Sequence, residues 1–331
     1  MTLENRIILF SKLGDFLLAD SSKETLKDWA YRARNENGWF TEDNVALAIK
    51  NIAVAFLGKE TLLSFTSTIE KTEKKKVGII CAGNIPMVGF HDLLCVILSG
   101  HKALIKLSSS DTVLMKLLIG KLLEIDPETS KCIEISERLN AADAFIATGS
   151  DNSSRYFEYY FKDKPSIIRK NRSSVAVLTG KETSQELRNL GNDIFQFFGL
   201  GCRNISKAFV PKGYKFDTFY ESIEYWNTIN IHHKYVNNYD YNKSIYLING
   251  NHHFDNGFLL TTPDEGLVSP LSVLFYQEYK DEEELEALLQ SHEEKLQCIV
   301  GSGYTAFGLS QTPKIDEFAD DVNTLDFLAK L

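Results

Sequence analysis

The segment FGLGCRN, residues 198–204, places Cys202 directly after the run Gly199-Leu200-Gly201. A cysteine nucleophile works as its thiolate and needs a positive or amide-rich setting. A glycine turn frees backbone N–H groups for that purpose, and Arg203 adds a charge. The two glycines also let a substrate approach the backbone closely. Taken alone, an isolated cysteine after glycine is more often structural, so the residue types leave both roles open. The dinucleotide fingerprint GxGxxG is excluded. Position 204 is Asn, and the loop follows a helical pattern and precedes a strand, the reverse of that motif.

Three weaker features share one kind of place, the end of an apolar strand run. GNIP (83–86) offers Asn84, whose amide could donate to an oxyanion, with Pro86 expected near the first turn of a helix. ATGS (147–150) offers Gly149 and Ser150 at a strand-to-helix turn, where a phosphate would meet free N–H groups. Lys106 ends the strand HKALIK and could meet a ribose or phosphate. Each has a plain structural alternative: a cap, a turn, a solvated lysine. His232-His233 and His252-His253 have no acidic or cysteine partner at zinc-like spacing. HExxH, GxSxG and GxxxxGK[ST] are absent.

The elements that must position these residues follow from periodicity. Residues 1–70 read as several helices, with apolar residues at helical spacing (Ile7, Ile8, Phe10, Leu13; Val45, Ala46, Ile49, Ile52) and Thr41 as a cap. VGIICAG (77–83) reads as a buried strand, NIPMVGFHDLLCVILSG (84–100) as a helix and HKALIKLSS (101–109) as a strand. This βαβ unit implies a parallel sheet. Asp111 or a neighbouring serine opens the helix TVLMKLLIGKLLEI. DAFIATG is a strand, SDNSSRYFEYYF a helix, and PSIIR and SSVAVLTG two strands that close this half. The second half opens with SQELRNLGNDIFQFF, a helix capped by Ser184, then the Cys202 loop and the strand ISKAFVP. HHKYVNNYDYNK (232–243) reads as loop. SPLSVLFYQEY, DEEELEALLQSHEEKLQ and CIVGSG form a second βαβ unit.

The bulk numbers exclude several classes. The chain has 331 residues, 44% hydrophobic and 24% charged, with a net charge of −9. That composition is ordinary for a globular protein of two domains or one large α/β unit. The acidic balance argues against a nucleic-acid binder, which needs a concentrated basic face. No apolar stretch is long enough to span a bilayer, and the amphipathic start lacks a signal-peptide cleavage pattern. Five scattered cysteines without CxxC fit a reduced, cytoplasmic protein.

In order along the chain, these pieces resemble the aldehyde dehydrogenase superfamily. VGIICAGNIP resembles its strand ending in an Asn-x-Pro turn, and ALIKLSS its strand ending in Lys-Pro-Ser-Glu. FIATGS resembles its Phe-Thr-Gly-Ser phosphate turn. FFGLGCRNISKAFVP resembles the helix, Gly-x-x-Cys loop and strand that carry its nucleophile, and EGLVSPLSVLFY its Glu-Ile-Phe-Gly-Pro segment. The resemblance covers roughly residues 77–331 and is closer to the LuxC-type acyl-CoA reductases, which supply fatty aldehyde to bacterial luciferase; FADDVNTLDFL (318–328) echoes the ending of such relatives.

The resemblance implies an aldehyde-dehydrogenase-like α/β fold: two Rossmann-like parallel-sheet domains with an N-terminal helical segment. It places helices and a dinucleotide domain in 1–180 and a catalytic cysteine domain in 181–300. Residues 301–331 would return to the cofactor domain or form a dimer contact. Cys202 is then the nucleophile that takes an acyl group from a thioester, with Asn84 and the Cys202 N–H as oxyanion donors. Lys106, Ser108, Ser109, Gly149, Ser150 and Glu265 form the dinucleotide site. Ile168 stands where hydrolytic members carry a water-activating Glu, which suits a thioester reductase. Ser109, in place of a Glu that would hold the NAD ribose, leaves room for a 2′-phosphate and favours NADPH over NADH. The ribose-binding Glu of the Glu-Ile-Phe segment aligns with Gly266, beside Glu265. The implied partners are an acyl-CoA or acyl-carrier thioester and a second copy of the chain, with no nucleic acid and no membrane insertion. The alternatives are a non-catalytic dinucleotide- or acyl-carrier-binding member and an ordinary aldehyde dehydrogenase.

Overall fold

The computed structural model describes residues 1–69, 73–149 and 151–331. The chain divides into two compact units, Met1–Asn171 with Thr312–Leu331, and Arg172–Gln311.

The first unit opens with four helices, α1 (Leu3–Leu18), α2 (Lys23–Glu36), α3 (Glu42–Phe56) and α4 (Lys59–Phe65). Thr2 and Thr41 cap α1 and α3, each accepting an N–H three residues on. The helices bury one face each; on α3 that face uses Val45, Ala48, Ile49 and Ile52, with Ala46 turned outward. A parallel five-stranded sheet follows. Its strands are β1 (Lys76–Ile80), β2 (Lys102–Lys106), β3 (Ile133–Ile135), β4 (Ala144–Thr148) and β5 (Ser166–Arg169). The order is β3-β2-β1-β4-β5, so the connections leave β1 in one direction and β4 in the other. Helices α5 (Phe90–Leu98), α6 (Thr112–Ile125) and α7 (Asp151–Phe161) link the strands. Every residue of α5 except His91 is buried, as expected of a helix apolar on all sides. Arg6 of α1 donates to the carbonyls of Ile97 and Leu98, capping the end of α5 from outside.

The helix expected from Asn84 begins only at Phe90. Residues 84–89 form a turn in which Met87 has φ +57°. A left-handed residue there cannot sit in an α-helix, so Pro86 does not open one.

The second unit holds a six-stranded sheet of β6 (Ser173–Val177), β7 (Ile205–Pro211), β8 (Phe254–Asp255), β9 (Leu260–Pro263), β10 (Val273–Tyr279) and β11 (Leu296–Gly301), in the order β11-β6-β7-β10-β9-β8. All pairs are parallel except β8 with β9. Segment 173–177, grouped by sequence with the first half, lies inside this sheet between β11 and β7. Helices α8 (Ser184–Phe195), α9 (Asp217–Ile223), α10 (His233–Asn249) and α11 (Glu282–His292) complete the unit. Thr183, not Ser184, caps α8, in a reciprocal box with Glu186. The segment expected as loop, 232–243, is mostly helix: α10 buries Tyr235, Tyr239 and Asn242, four and three residues apart on one face. A final helix, α12 (Thr324–Ala329), belongs to the first unit.

Candidate functional site

In the first unit, five of the eight candidate residues share one sheet edge. The parallel register aligns Ile80 with Lys106 on one side and Ala147 on the other. The turn with Asn84, the loop with Lys106, Ser108 and Ser109, and Gly149 therefore all leave the carboxyl edge of β2, β1 and β4. The sheet reverses its winding between β1 and β4, and open α/β sheets bind ligands at such a point. Asn84, Lys106 and Ser109 are exposed, and Ser108 and Gly149 half-buried. A Cβ on Gly149 would lie 2.9 Å from both Ser153 and Phe157. Glycine thus lets the start of α7 pack against the end of β4, as a phosphate-binding strand–helix turn requires. Ser150 lies outside the described residues. This edge, with its exposed cation, hydroxyls and glycine turn, fits a dinucleotide.

In the second unit, α8 delivers the chain to the Cys202 loop. Phe197, Phe198 and Gly199 all have positive φ, at +52°, +58° and +78°. Glycine takes that region at little cost; the two phenylalanines do not, and such strain is sustained only by surrounding contacts. Phe198 stacks on the His232 ring at 4.2 Å, and Phe197 is buried.

Asn204 supplies the main tie. It is 3% exposed. Its Nδ2 donates to the carbonyls of Asp193 (3.0 Å) and Gln196 (2.8 Å), and its Oδ1 accepts the Gly201 N–H at 2.8 Å. One amide thus satisfies the open end of α8 and closes the turn on which Cys202 stands. Ser174 of β6 donates to the Cys202 carbonyl at 2.9 Å. Arg203 turns to the Ser310 carbonyl at 3.4 Å. Asp193, fully buried, accepts the N–H groups of Gly308 (2.6 Å) and Ser310 (2.9 Å). The sequence left the role of Asn204 open and did not single out Asp193, because their partners are backbone groups that no residue type reveals.

None of the five cysteines is in a disulfide; Cys202 is exposed and the other four are buried. Burial pushes the Cys81 and Cys95 thiols far above the ordinary range, so neither supplies a thiolate.

Glu265 is exposed in the segment after β9. Lys207, fully buried on β7, donates to the Glu265 carbonyl at 2.9 Å and to Gln277 Oε1 at 2.7 Å. Burial lowers its ammonium to about 8. Ser206 donates to the Leu267 carbonyl at 2.7 Å. The strand that begins just after the cysteine loop therefore also holds the Glu265 segment. Among the described residues, no group of three or more His, Cys, Asp or Glu could hold a metal ion. No helix among them is long and apolar enough to cross a membrane.

Residues 66–217 match the acyl-CoA reductase (LuxC) family. A comparison with curated proteins gave no significant match. The fold is similar to solved aldehyde dehydrogenases and related enzymes. One is an NADP-dependent enzyme of E. coli, 12% identical, with a TM-score of 0.69 over 91% of this chain and 73% of that one. Another is an aldehyde dehydrogenase of Bacillus cereus solved with NAD+, 13% identical, TM-score 0.64, over 91% and 72%. A third is aldehyde dehydrogenase 21 of Physcomitrella patens in complex with succinate, 10% identical, TM-score 0.68, over 100% and 84%. Residues 66–217 thus resemble the LuxC-type acyl-CoA reductases, and the chain has the fold of the aldehyde dehydrogenases.

Proposed function

We propose that the protein reduces a fatty acyl thioester, with acyl-CoA as the donor and NADPH as the reductant, to an aldehyde through an acyl-enzyme on Cys202. The observation that carries this reading is the thiol itself. Cys202 is the exposed one of the five cysteines, on a loop tied down by Asn204.

The Cys202 thiolate attacks the thioester carbonyl, and charge gathers on the carbonyl oxygen. The Asn84 amide and the Cys202 N–H are the donors assigned to that oxygen. The tetrahedral adduct collapses, the C–S bond to CoA breaks, and the CoA thiolate departs, leaving an acyl group on Cys202. When bound, the nicotinamide dinucleotide supplies the hydride that converts this acyl group to an aldehyde as the Cys202 thiolate is released. Lys106, Ser108, Ser109, Gly149 and Ser150 are assigned to the dinucleotide, with Glu265 at its ribose. Neutral Ser109 leaves a 2′-phosphate unopposed, hence NADPH. Ile168 sits in β5 with no carboxylate to activate water, which keeps the acyl-enzyme for reduction.

The test is dinucleotide oxidation, with NADPH and NADH in parallel, across a chain-length series of acyl-CoA. Cys202→Ala is expected to lose at least about a thousandfold in turnover, and NADPH to outperform NADH. Wild-type turnover in Cys202→Ala would end the covalent reading, and absence of turnover in the wild type with every acyl-CoA would leave the chain as a binding protein of this fold.

A further inference from the structure

Asp111 occupies the N-cap position of α6, yet its side chain makes no bond to that helix. Glu36 of α2 instead accepts the Val113 N–H at 2.9 Å. The Asp111 carboxyl turns to the loop after β1, where its Oδ2 accepts the Met87 N–H at 2.7 Å. Asp111 is 1% exposed. Its Oδ1 is buried and has no hydrogen-bond partner among the described residues. Met87 is buried at φ +57°, a conformation an unbranched side chain keeps only when its surroundings impose it. Met87 lies three residues beyond Asn84. Gly83, on the other side of Asn84, packs against Ser108 with no room for a side chain. The loop of β2 therefore grips the Asn84 turn at both ends.

We propose that Asp111 is a positioning residue for Asn84. Through the Met87 N–H it holds the turn after β1 in the conformation that presents the Asn84 amide. The inference rests on the oxyanion role proposed for Asn84. An aspartate that caps a helix would leave this turn without an anchor; here the cap is delegated to Glu36 and the carboxyl is free to reach across.

Burial pushes the Asp111 carboxyl up to about 8. The titratable groups facing it are Glu36 from α2 and the Cys81 thiol from the end of β1; both add negative charge when ionised, and neither relieves it. At neutral pH the group keeps its proton. Above about pH 8 an anion would form with one oxygen unsolvated, a costly state that the turn relieves by opening to water.

The experiment measures the burst of CoA thiol released when the full-length protein meets octanoyl-CoA without dinucleotide, which isolates acylation. Asp111→Ala should slow the burst about tenfold or more, a fraction of what loss of an oxyanion donor costs. Asp111→Asn keeps an oxygen for the Met87 N–H and should stay within about threefold of wild type at pH 7. The ratio of wild type to Asp111→Asn, in which the ionisation of Cys202 cancels, should fall as pH rises through 8. A normal burst in Asp111→Ala, or a ratio flat from pH 7 to 9, overturns the proposal. An Asn84→Ala variant with a wild-type burst instead removes the role of Asn84 itself, and this inference with it.

Discussion

Two buried polar side chains, Asn204 and Asp111, hold the turns that carry Cys202 and Asn84. Asn204 serves two backbone carbonyls at hydrogen-bond lengths of 2.8 and 3.0 Å and one N–H at 2.8 Å. Removing it takes a partner from all three, one of them in a fully buried bond, and each such loss has a desolvation cost. Asn204→Ala is expected to lower stability by about 2–3 kcal/mol, read as a reduced urea midpoint at unchanged m. Asn204→Asp, of the same shape but without donors, should lose at least as much. A midpoint within error of wild type for both would show that the amide is dispensable. The cysteine itself was legible in sequence, since glycine beside a thiol has a chemical meaning. Asn204 was not, because its importance lies in a folded-back chain end. Asp111 was legible as the residue that opens α6 and stands at its N-cap, but its side chain leaves the capping bond to Glu36, seventy-odd residues earlier.

Strands were the most legible elements. Buried parallel strands are short apolar runs, and VGIICAG, HKALIK, DAFIATG and ISKAFVP all fall on β1, β2, β4 and β7. Helix ends were less so. Met87 breaks the helix expected from Asn84, and nothing in its side chain announces a positive φ. Helix α10 was hidden because Tyr, Asn and His are indifferent helix formers; it is held by packing of Tyr239 against Leu260, Val273 and Phe275. The start of α8 can be tested directly. The capping box of Thr183 and Glu186 should make Thr183→Ala cost about 1 kcal/mol, whereas Ser184→Ala, inside the first turn, should be close to neutral. Both are read from thermal unfolding, and hydrogen exchange of the first turn should quicken only in Thr183→Ala. The opposite ranking would return the cap to Ser184.

At the scale of the molecule, the order of strands was beyond the sequence. The connection from β10 through α11 to β11 passes over β7 and β6, and a hydrophobic run does not say which neighbour it takes. The return of residues 312–331 to the first unit rests on polar contacts as well as burial. His91 Nε2 reaches the Ile315 carbonyl at 2.7 Å, Arg169 reaches Thr324 at 3.0 Å while pairing with buried Asp92, and His101 Nε2 reaches the Leu328 carbonyl at 3.0 Å. His101 Nδ1 accepts the Lys75 N–H, so the ring is neutral with its proton on Nε2. Burial lowers its affinity for a second proton. The unfolded chain, with an ordinary imidazole near 6.5, then binds a proton the folded one refuses. Stability is complete above that value and falls as pH drops below it. Melting temperatures from pH 8 to 5 should show this decline, and His101→Gln should lessen it. An equal decline in the variant would place the acid sensitivity elsewhere.

The C-terminal return also sets an order of manufacture. The second unit lies wholly between two stretches of the first. On the ribosome, all five strands of the first sheet emerge before residue 172, yet the Leu328 carbonyl that His101 meets and the Thr324 hydroxyl that Arg169 meets arrive only after residue 311. The unit with Cys202 can therefore be finished while the earlier one still waits for residues 312–331. A nascent chain stalled in between would present a buried Asp92–Arg169 pair and the surface around His101 without their cover. Such a chain exposes surface of the kind that makes folding intermediates prone to aggregate.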